Sequence, residues 1–208
     1  MSQPGYLLFL GHTLDMEKMG RYSAAVSAVY KQYGGTYVGI GGPGRGTELL
    51  EGAWFDHSII LARFPSSEDV LKFWNSPEYA EVKALREDGG VFQVFSLKGE
   101  NREPPEGQGA YLISIYRPFD ADAYAAVAAA EAEKIKSRDM YYLAQSSGGN
   151  TERLEGDIMD FCFSIIACPT QPSATSLWND AAYTQIRQER VQAAGVNTFL
   201  MVGMAQKT

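Results

Sequence analysis

Histidine takes up and releases protons near neutral pH, so the two histidines are weighed first. His12 ends an apolar run at 5–13, and His57 stands near the start of another at 54–64. His57 is a candidate general acid/base and His12 a candidate substrate contact, on neighbouring strands but at different heights. Strand alternation sends Asp56 and His57 to opposite faces, so no direct relay between them is expected. Arg86 and Arg190 each close a helical stretch; they could receive an anionic substrate or pair with Glu51 and Glu155. Each of those acids precedes a glycine. Glu51 thus reads as a carboxylate at a pocket mouth, or as a turn-capping acid. Tyr79 joins His57 and Arg86 as a catalytic candidate, because a buried phenol can steer a ligand phenol or carbonyl. Tyr22, Trp74, Trp178 and Tyr183 are candidate substrate contacts, and the same spacing also suits plain core packing.

Other patterns are weaker. Gly39-Ile40-Gly41-Gly42-Pro43-Gly44 fits the glycine fingerprint of dinucleotide sites, but Arg45-Gly46-Thr47-Glu48 leads into a strand where such a site needs a helix. It reads instead as a loop between strands that could act as a lid. Cys162 and Cys168 fall on one face of one strand, too far apart for an easy disulfide, and read as buried free thiols. Two histidines in one half and two cysteines in the other make no sensible metal-ligand set, so no metal is expected.

The elements that position these residues follow from an internal repeat. Thr47-Glu48-Leu49-Leu50-Glu51-Gly52 recurs 104 residues later as Thr151-Glu152-Arg153-Leu154-Glu155-Gly156. The same offset relates Asp56 to Asp160, Pro65 to Pro169, Trp74 to Trp178, Asn75 to Asn179, Tyr79 to Tyr183 and Arg86 to Arg190. The chain divides into a first repeat at 1–99, a Pro- and Gly-rich linker at 100–107 and a diverged second repeat at 108–208. Strands are expected at 5–13, 36–40, 54–64 and 90–98. A helix starts at Asp15 with Met16, Met19, Tyr22, Val26, Val29, Tyr30 and Tyr33 on one face, and ends at Gly34-Gly35. Ser66 caps a second helix, and Ser76-Pro77 restarts it. The second repeat follows with strands at 109–116, 139–146, 158–167 and 196–205, and helices at 120–136 and 172–192. The order is β-α-β-β-α-β, an α+β ferredoxin-like unit. Its sheet has one face without helices, so two units in one chain are expected to pack sheet to sheet as an intrachain pseudo-dimer.

Composition excludes several functions. The net charge is −7, which disfavours nucleic acid and anionic membranes. No apolar run is long enough to span a bilayer and no signal peptide is visible, so a cytoplasmic protein is expected.

Gly34-Gly35, Leu50-Glu51-Gly52, Phe64-Pro65-Ser66, Phe73-Trp74-Asn75-Ser76-Pro77-Glu78-Tyr79 and Leu85-Arg86 together resemble the domain of unknown function DUF1330. The second repeat resembles it through Leu154-Glu155-Gly156, Trp178-Asn179-Asp180, Tyr183 and Arg190, and departs at Arg138-Asp139, where the glycine pair stands in the first. The resemblance implies a dimeric α/β barrel. Within that superfamily it points to cofactor-independent monooxygenases, cyclases and isomerases, with haem-binding enzymes as a further branch. The expectation is a small cofactor-free enzyme of cyclase, isomerase or monooxygenase type. Its substrate would be an apolar or aromatic, polyketide-like metabolite held between sheet and helices. A non-catalytic binding protein of the same fold is the alternative, and further pairing of two such chains stays open.

Overall fold

The computed structural model describes residues 3–54, 57–146, 151–157 and 161–205. The first repeat runs β1 (Gly5–Thr13), α1 (Met16–Gln32), β2 (Thr36–Pro43), β3 (Gly46–Glu51), β4 (Ser58–Phe64), α2 (Ser67–Trp74), α3 (Pro77–Ala84) and β5 (Gly90–Lys98). The second runs β6 (Ala110–Pro118), α4 (Ala121–Lys136), β7 (Tyr141–Gln145), β8 (Thr151–Glu155), β9 (Cys162–Cys168), α5 (Gln171–Trp178), α6 (Ala181–Ala193) and β10 (Ala194–Val202).

Local chemistry sets the helix ends. Asp15 accepts from the backbone N–H groups of Glu17 and Lys18, and Asp120 from that of Ala123. Ser76 caps α3 with Pro77 in its first turn. Gly34 ends α1 in the left-handed region at φ 73°; Asp139 holds the same conformation at φ 56° in the second repeat, so the turn survives the loss of the glycine pair. The apolar face of α1 buries Tyr22, Val26, Val29 and Tyr30, whereas Met16, assigned to that face from spacing, is exposed.

Within each repeat the central strands are antiparallel, in the order β2-β4-β1-β5 and β7-β9-β6-β10. Their helix-free faces meet in one core that includes Tyr6, Leu8, Leu10, Ile59, Leu61 and Phe95 from one repeat and Tyr111, Ile113, Ile115, Phe163, Ile165 and Phe199 from the other. Burying each such side chain is worth roughly 2 kcal/mol. Two further cores fill the spaces between each sheet and its own helices.

A fifth strand per repeat departs from the β-α-β-β-α-β expectation. After a tight turn at Gly42–Arg45, β3 pairs antiparallel with β10 of the other repeat, from Thr198↔Glu51 to Met201↔Thr47. Reciprocally, β8 pairs with β5, from Val94↔Glu155 to Leu97↔Thr151. Each arm joins the two repeats into a ten-stranded sheet among the described residues. The glycine-rich stretch at 39–43 is therefore part of strand β2, not a loop over a pocket. The segment 147–150 of the matching stretch in the second repeat lies outside the described residues.

Candidate functional site

The predicted catalytic trio does not assemble. Tyr79 and Arg86 lie on the helix side of the first sheet, and His57 lies on its barrel side. Because Leu10 pairs with Ile59 and Gly11 with Ser58, the antiparallel register brings His12 opposite His57. Their ring centroids are 6.3 Å apart, which corrects the expectation of different heights. Trp54 stacks on His57 at 5.3 Å and lies 5.9 Å from Phe161 of the second repeat. These residues form a half-buried aromatic rim at one end of the barrel. Asp56 and Asp160 lie outside the described residues.

On the helix side, Arg86 is 2% exposed. Its Nη1 and Nη2 donate to Glu155 Oε1 and Oε2 at 2.8 and 2.7 Å, a bidentate pair across the repeat boundary. Its guanidinium lies 4.4 Å from the Phe92 ring centre and 5.3 Å from those of Phe9 and Tyr22. Nη2 also donates to the Tyr79 hydroxyl at 3.5 Å, which is 3.2 Å from the Tyr22 hydroxyl. Burial raises the pKa of both phenols, so they stay protonated. Burial also pushes Glu155 upward, but bonds from Arg86 and Lys83 outweigh it and hold the carboxyl below its usual range. Lys83 Nζ stands 2.8 Å from Glu155 and 4.6 Å from the Trp74 ring centre.

A cleft of about 410 Å³ opens over this arrangement, lined by Ala80, Lys83, Ala84, Arg86, Phe92 and Glu155 among others. That size suits a small ligand. Elsewhere the expected space between the first sheet and its helices is closed by aromatic packing, with Tyr30 on Phe73 at 4.7 Å and Phe73 on Tyr79 at 4.4 Å.

The second repeat carries a counterpart with one addition. Arg190, 1% exposed, donates from Nη2 to Glu51 at 3.1 Å and from Nη1 to Glu131 at 3.0 Å. Glu131, 3% exposed, also accepts from the Tyr183 and Tyr142 hydroxyls, each at 2.8 Å. Glu51 and Glu155 are thus neither turn caps nor partners of the arginine in their own repeat; each reaches the arginine of the other. Arg187 takes the place of Lys83, with its guanidinium 3.8 Å from the Trp178 ring centre. Trp178 also lines a smaller cleft of about 290 Å³ with Leu49, Leu50 and Leu200.

Glu131 was missed from sequence, and a signal for it existed. Val127, Glu131 and Ile135 follow each other at four-residue steps on the buried face of α4, so the acid interrupts an apolar stripe. Cys168 is buried as expected, whereas Cys162 is half-buried; both thiols are free. Among the described residues no group of three or more His, Cys, Asp or Glu side chains could hold a metal ion, and no helix is long and apolar enough to cross a membrane.

Solved structures with this architecture are similar in fold at low identity. A "putative monooxygenase" from Lactobacillus acidophilus is 12% identical, with 99% of this chain and 100% of that chain covered and a TM-score of 0.54. An "anthrone oxidase-like protein" is 13% identical over 100% and 96% of the two chains, with a TM-score of 0.53. A further "putative monooxygenase" from Fusobacterium nucleatum is 12% identical over 100% and 99%, with a TM-score of 0.53. They establish the dimeric α/β-barrel architecture. No curated protein matches the sequence. The profile of the family described as domain of unknown function DUF1330 matches residues 4–99 and again residues 109–204. With both halves of its sequence matched, the chain belongs to the DUF1330 family and carries that domain twice.

Proposed function

We propose that this chain is a small cofactor-independent enzyme of cyclase, isomerase or monooxygenase type. Its substrate would be an apolar, polyketide-like metabolite bound in the cleft of the first repeat. The observation that carries the reading is Arg86, a dry guanidinium at the edge of a ligand-sized cleft, fixed by Glu155 and three aromatic rings. A cation held rigid and away from water stabilises negative charge that develops on a substrate oxygen, as in an enolate or phenolate. Tyr79 would add a neutral donor beside it. Trp74 would act through Lys83, whose ammonium it steadies at the cleft wall. The low-identity structural relatives described as monooxygenase-like and anthrone oxidase-like support testing planar phenols and ketones first.

A second reading rests on the His12–His57 pair, which places two proton-transfer groups side by side, ring centres 6.3 Å apart, at the barrel rim. In that case the reaction occurs at the barrel mouth and Arg86 is structural.

The test is native mass spectrometry of freshly purified protein, followed by aerobic incubation with planar polycyclic phenols and ketones. Ala84→Trp fills the cleft without touching Arg86, and His12→Ala/His57→Ala removes both imidazoles. Loss of retained ligand and turnover in the tryptophan variant alone supports the cleft. Loss in the histidine variant alone moves the reaction to the barrel mouth. Retained ligand with no conversion makes the protein a non-catalytic binder.

A further inference from the structure

The two repeats share a buried tyrosine and arginine, Tyr79 and Arg86 in one and Tyr183 and Arg190 in the other, add a different second phenol to each, and satisfy these donors differently. The caps Asp15 and Asp120 align α1 with α4, which puts Tyr22 level with Val127 and Val26 level with Glu131. The strand registers Tyr37↔Ala62 and Tyr142↔Ile166 put Tyr37 level with Tyr142. Tyr79 and Arg86 match Tyr183 and Arg190 by the repeat itself. In the second repeat the carboxylate of Glu131 collects the hydroxyls of Tyr142 and Tyr183 and one arm of Arg190. Those donors are satisfied.

In the first repeat Val26 supplies no acceptor. The Tyr22 and Tyr79 hydroxyls face each other at 3.2 Å and have two protons between them, but their mutual bond uses one. Arg86 adds a further N–H to Tyr79. Among the described residues the second phenolic proton has no acceptor, in a place where Tyr22 and Tyr79 are 2% and 1% exposed. A buried donor left unmatched is costly, so such a proton marks where an acceptor belongs.

We infer that the first repeat binds the anionic oxygen of a planar ligand, a carboxylate, phenolate or enolate, at Tyr22, Tyr79 and Arg86. Glu131 closes the second repeat by supplying that group from within the chain. The inference rests on the proposed cleft reading and names its substrate class. The ligand's apolar part lies along Phe92, Ala80 and Ala84, and the phenols sit behind Arg86 and Phe92, so binding turns the Phe92 ring aside.

The probe is 2-naphthoate, with neutral 2-methylnaphthalene as its shape control, measured by calorimetry. One molecule per chain is expected, with the neutral probe at least tenfold weaker. Val26→Glu places in the first repeat the carboxylate that the second already has, and should weaken 2-naphthoate at least tenfold. Tyr22→Phe/Tyr79→Phe, which removes both hydroxyls without adding charge, should do the same and decides the matter where Val26→Glu does not fold. In the second repeat, Glu131→Ala should lose thermal stability and regain part of it in acetate, but not in chloride of equal ionic strength. Absence of 2-naphthoate binding, two molecules per chain, or unchanged affinity in the variants overturns the inference. So does a Glu131→Ala protein that acetate leaves unmoved. Binding in the expected pattern without any turnover keeps the inference and removes the catalytic reading. Turnover that survives both Val26→Glu and the phenylalanine pair does the reverse.

Discussion

Arg86 and Glu155, 69 residues apart in sequence, meet in two parallel hydrogen bonds of 2.8 and 2.7 Å. Arg190 and Glu51 make the reciprocal contact at 3.1 Å. Each glutamate ends an arm strand that has left its own repeat; Arg86 lies between α3 and β5, and Arg190 in the last turn of α6 before β10. The pair therefore fastens an arm at the point where its strand pairing stops. Duplication inside one chain keeps both fasteners at fixed stoichiometry, with no dissociation to oppose them.

Removing one member of such a pair should cost more than removing both. Glu155→Gln leaves the Arg86 guanidinium buried with no charged partner, a loss of about 2 kcal/mol for hydrogen bonds to a charged group. At this chain length the midpoint of thermal unfolding should fall by roughly 4–8 °C. Arg86→Met with Glu155→Leu should recover most of that loss, since a matched apolar pair leaves nothing unpaired. A double variant no more stable than the single one would show that the pair's value lies in its aromatic surroundings rather than its charges.

The Glu155 shift gives this loss a pH dependence. Its pKa is lower folded than unfolded, so its contribution is fully present above the unfolded value of about 4.3 and fades as pH falls through the folded one. The stability gap between wild type and Glu155→Gln should be constant from pH 8 to pH 6 and should close in acid. Urea unfolding at several pH values measures it; a gap that widens in acid would contradict the assignment of Glu155 as the ionised partner.

Much of this architecture is readable from sequence, for local reasons. Asp15, Ser66, Ser76 and Asp120 announce helix starts because a cap is chemistry within three residues. The repeat announces a duplicated sheet because Trp74, Tyr79 and Arg86 return in order. What stayed hidden is non-local. Thr47–Glu51 looks like a stretch between strands, and only the presence of β10 beside it explains why Glu51 is held. The two histidines come level because one register is set by the whole β1–β4 ladder, not by the residues near them. Glu131 reads as a helix acid until the donors from β7 and α6 are in view.

Two buried tyrosines, one beside each buried arginine, should respond differently to loss of a hydroxyl. Tyr183 donates to the Glu131 carboxylate at 2.8 Å, so Tyr183→Phe strips a charged acceptor of a donor and should cost about 1.5–3 kcal/mol. Tyr22 shares one bond with Tyr79, and the pair holds one proton more than it can place. Tyr22→Phe removes one proton and the shared bond and leaves the Tyr79 proton as unplaced as before, so only one neutral bond is lost and the cost should be about 0.5–1 kcal/mol. Chemical denaturation of the two variants side by side decides it. Equal costs would mean the first repeat satisfies its phenols as fully as the second.

Backbone strain offers a last contrast, between Gly156 and Gly20. Gly156 follows Glu155 at φ 98°, and a Cβ there would come within 2.7 Å of the Phe92 carbonyl oxygen and closer still to the Gln93 side chain. Gly156→Ala must therefore move the end of the β8 arm away from β5, at a cost of about 2–3 kcal/mol from strain and crowding together. Because the displaced arm carries Glu155, the variant should also weaken the Arg86 contact, and its loss should overlap with that of Glu155→Gln when the two are combined. Gly20 sits inside α1 with open space around it. Gly20→Ala should raise stability by about 0.5–1 kcal/mol through helix propensity alone. Thermal unfolding of the single variants and of Gly156→Ala/Glu155→Gln tests both parts. Full additivity in the double variant would separate the glycine turn from the ion pair, whereas a combined loss smaller than the sum ties the arm's geometry to its charge.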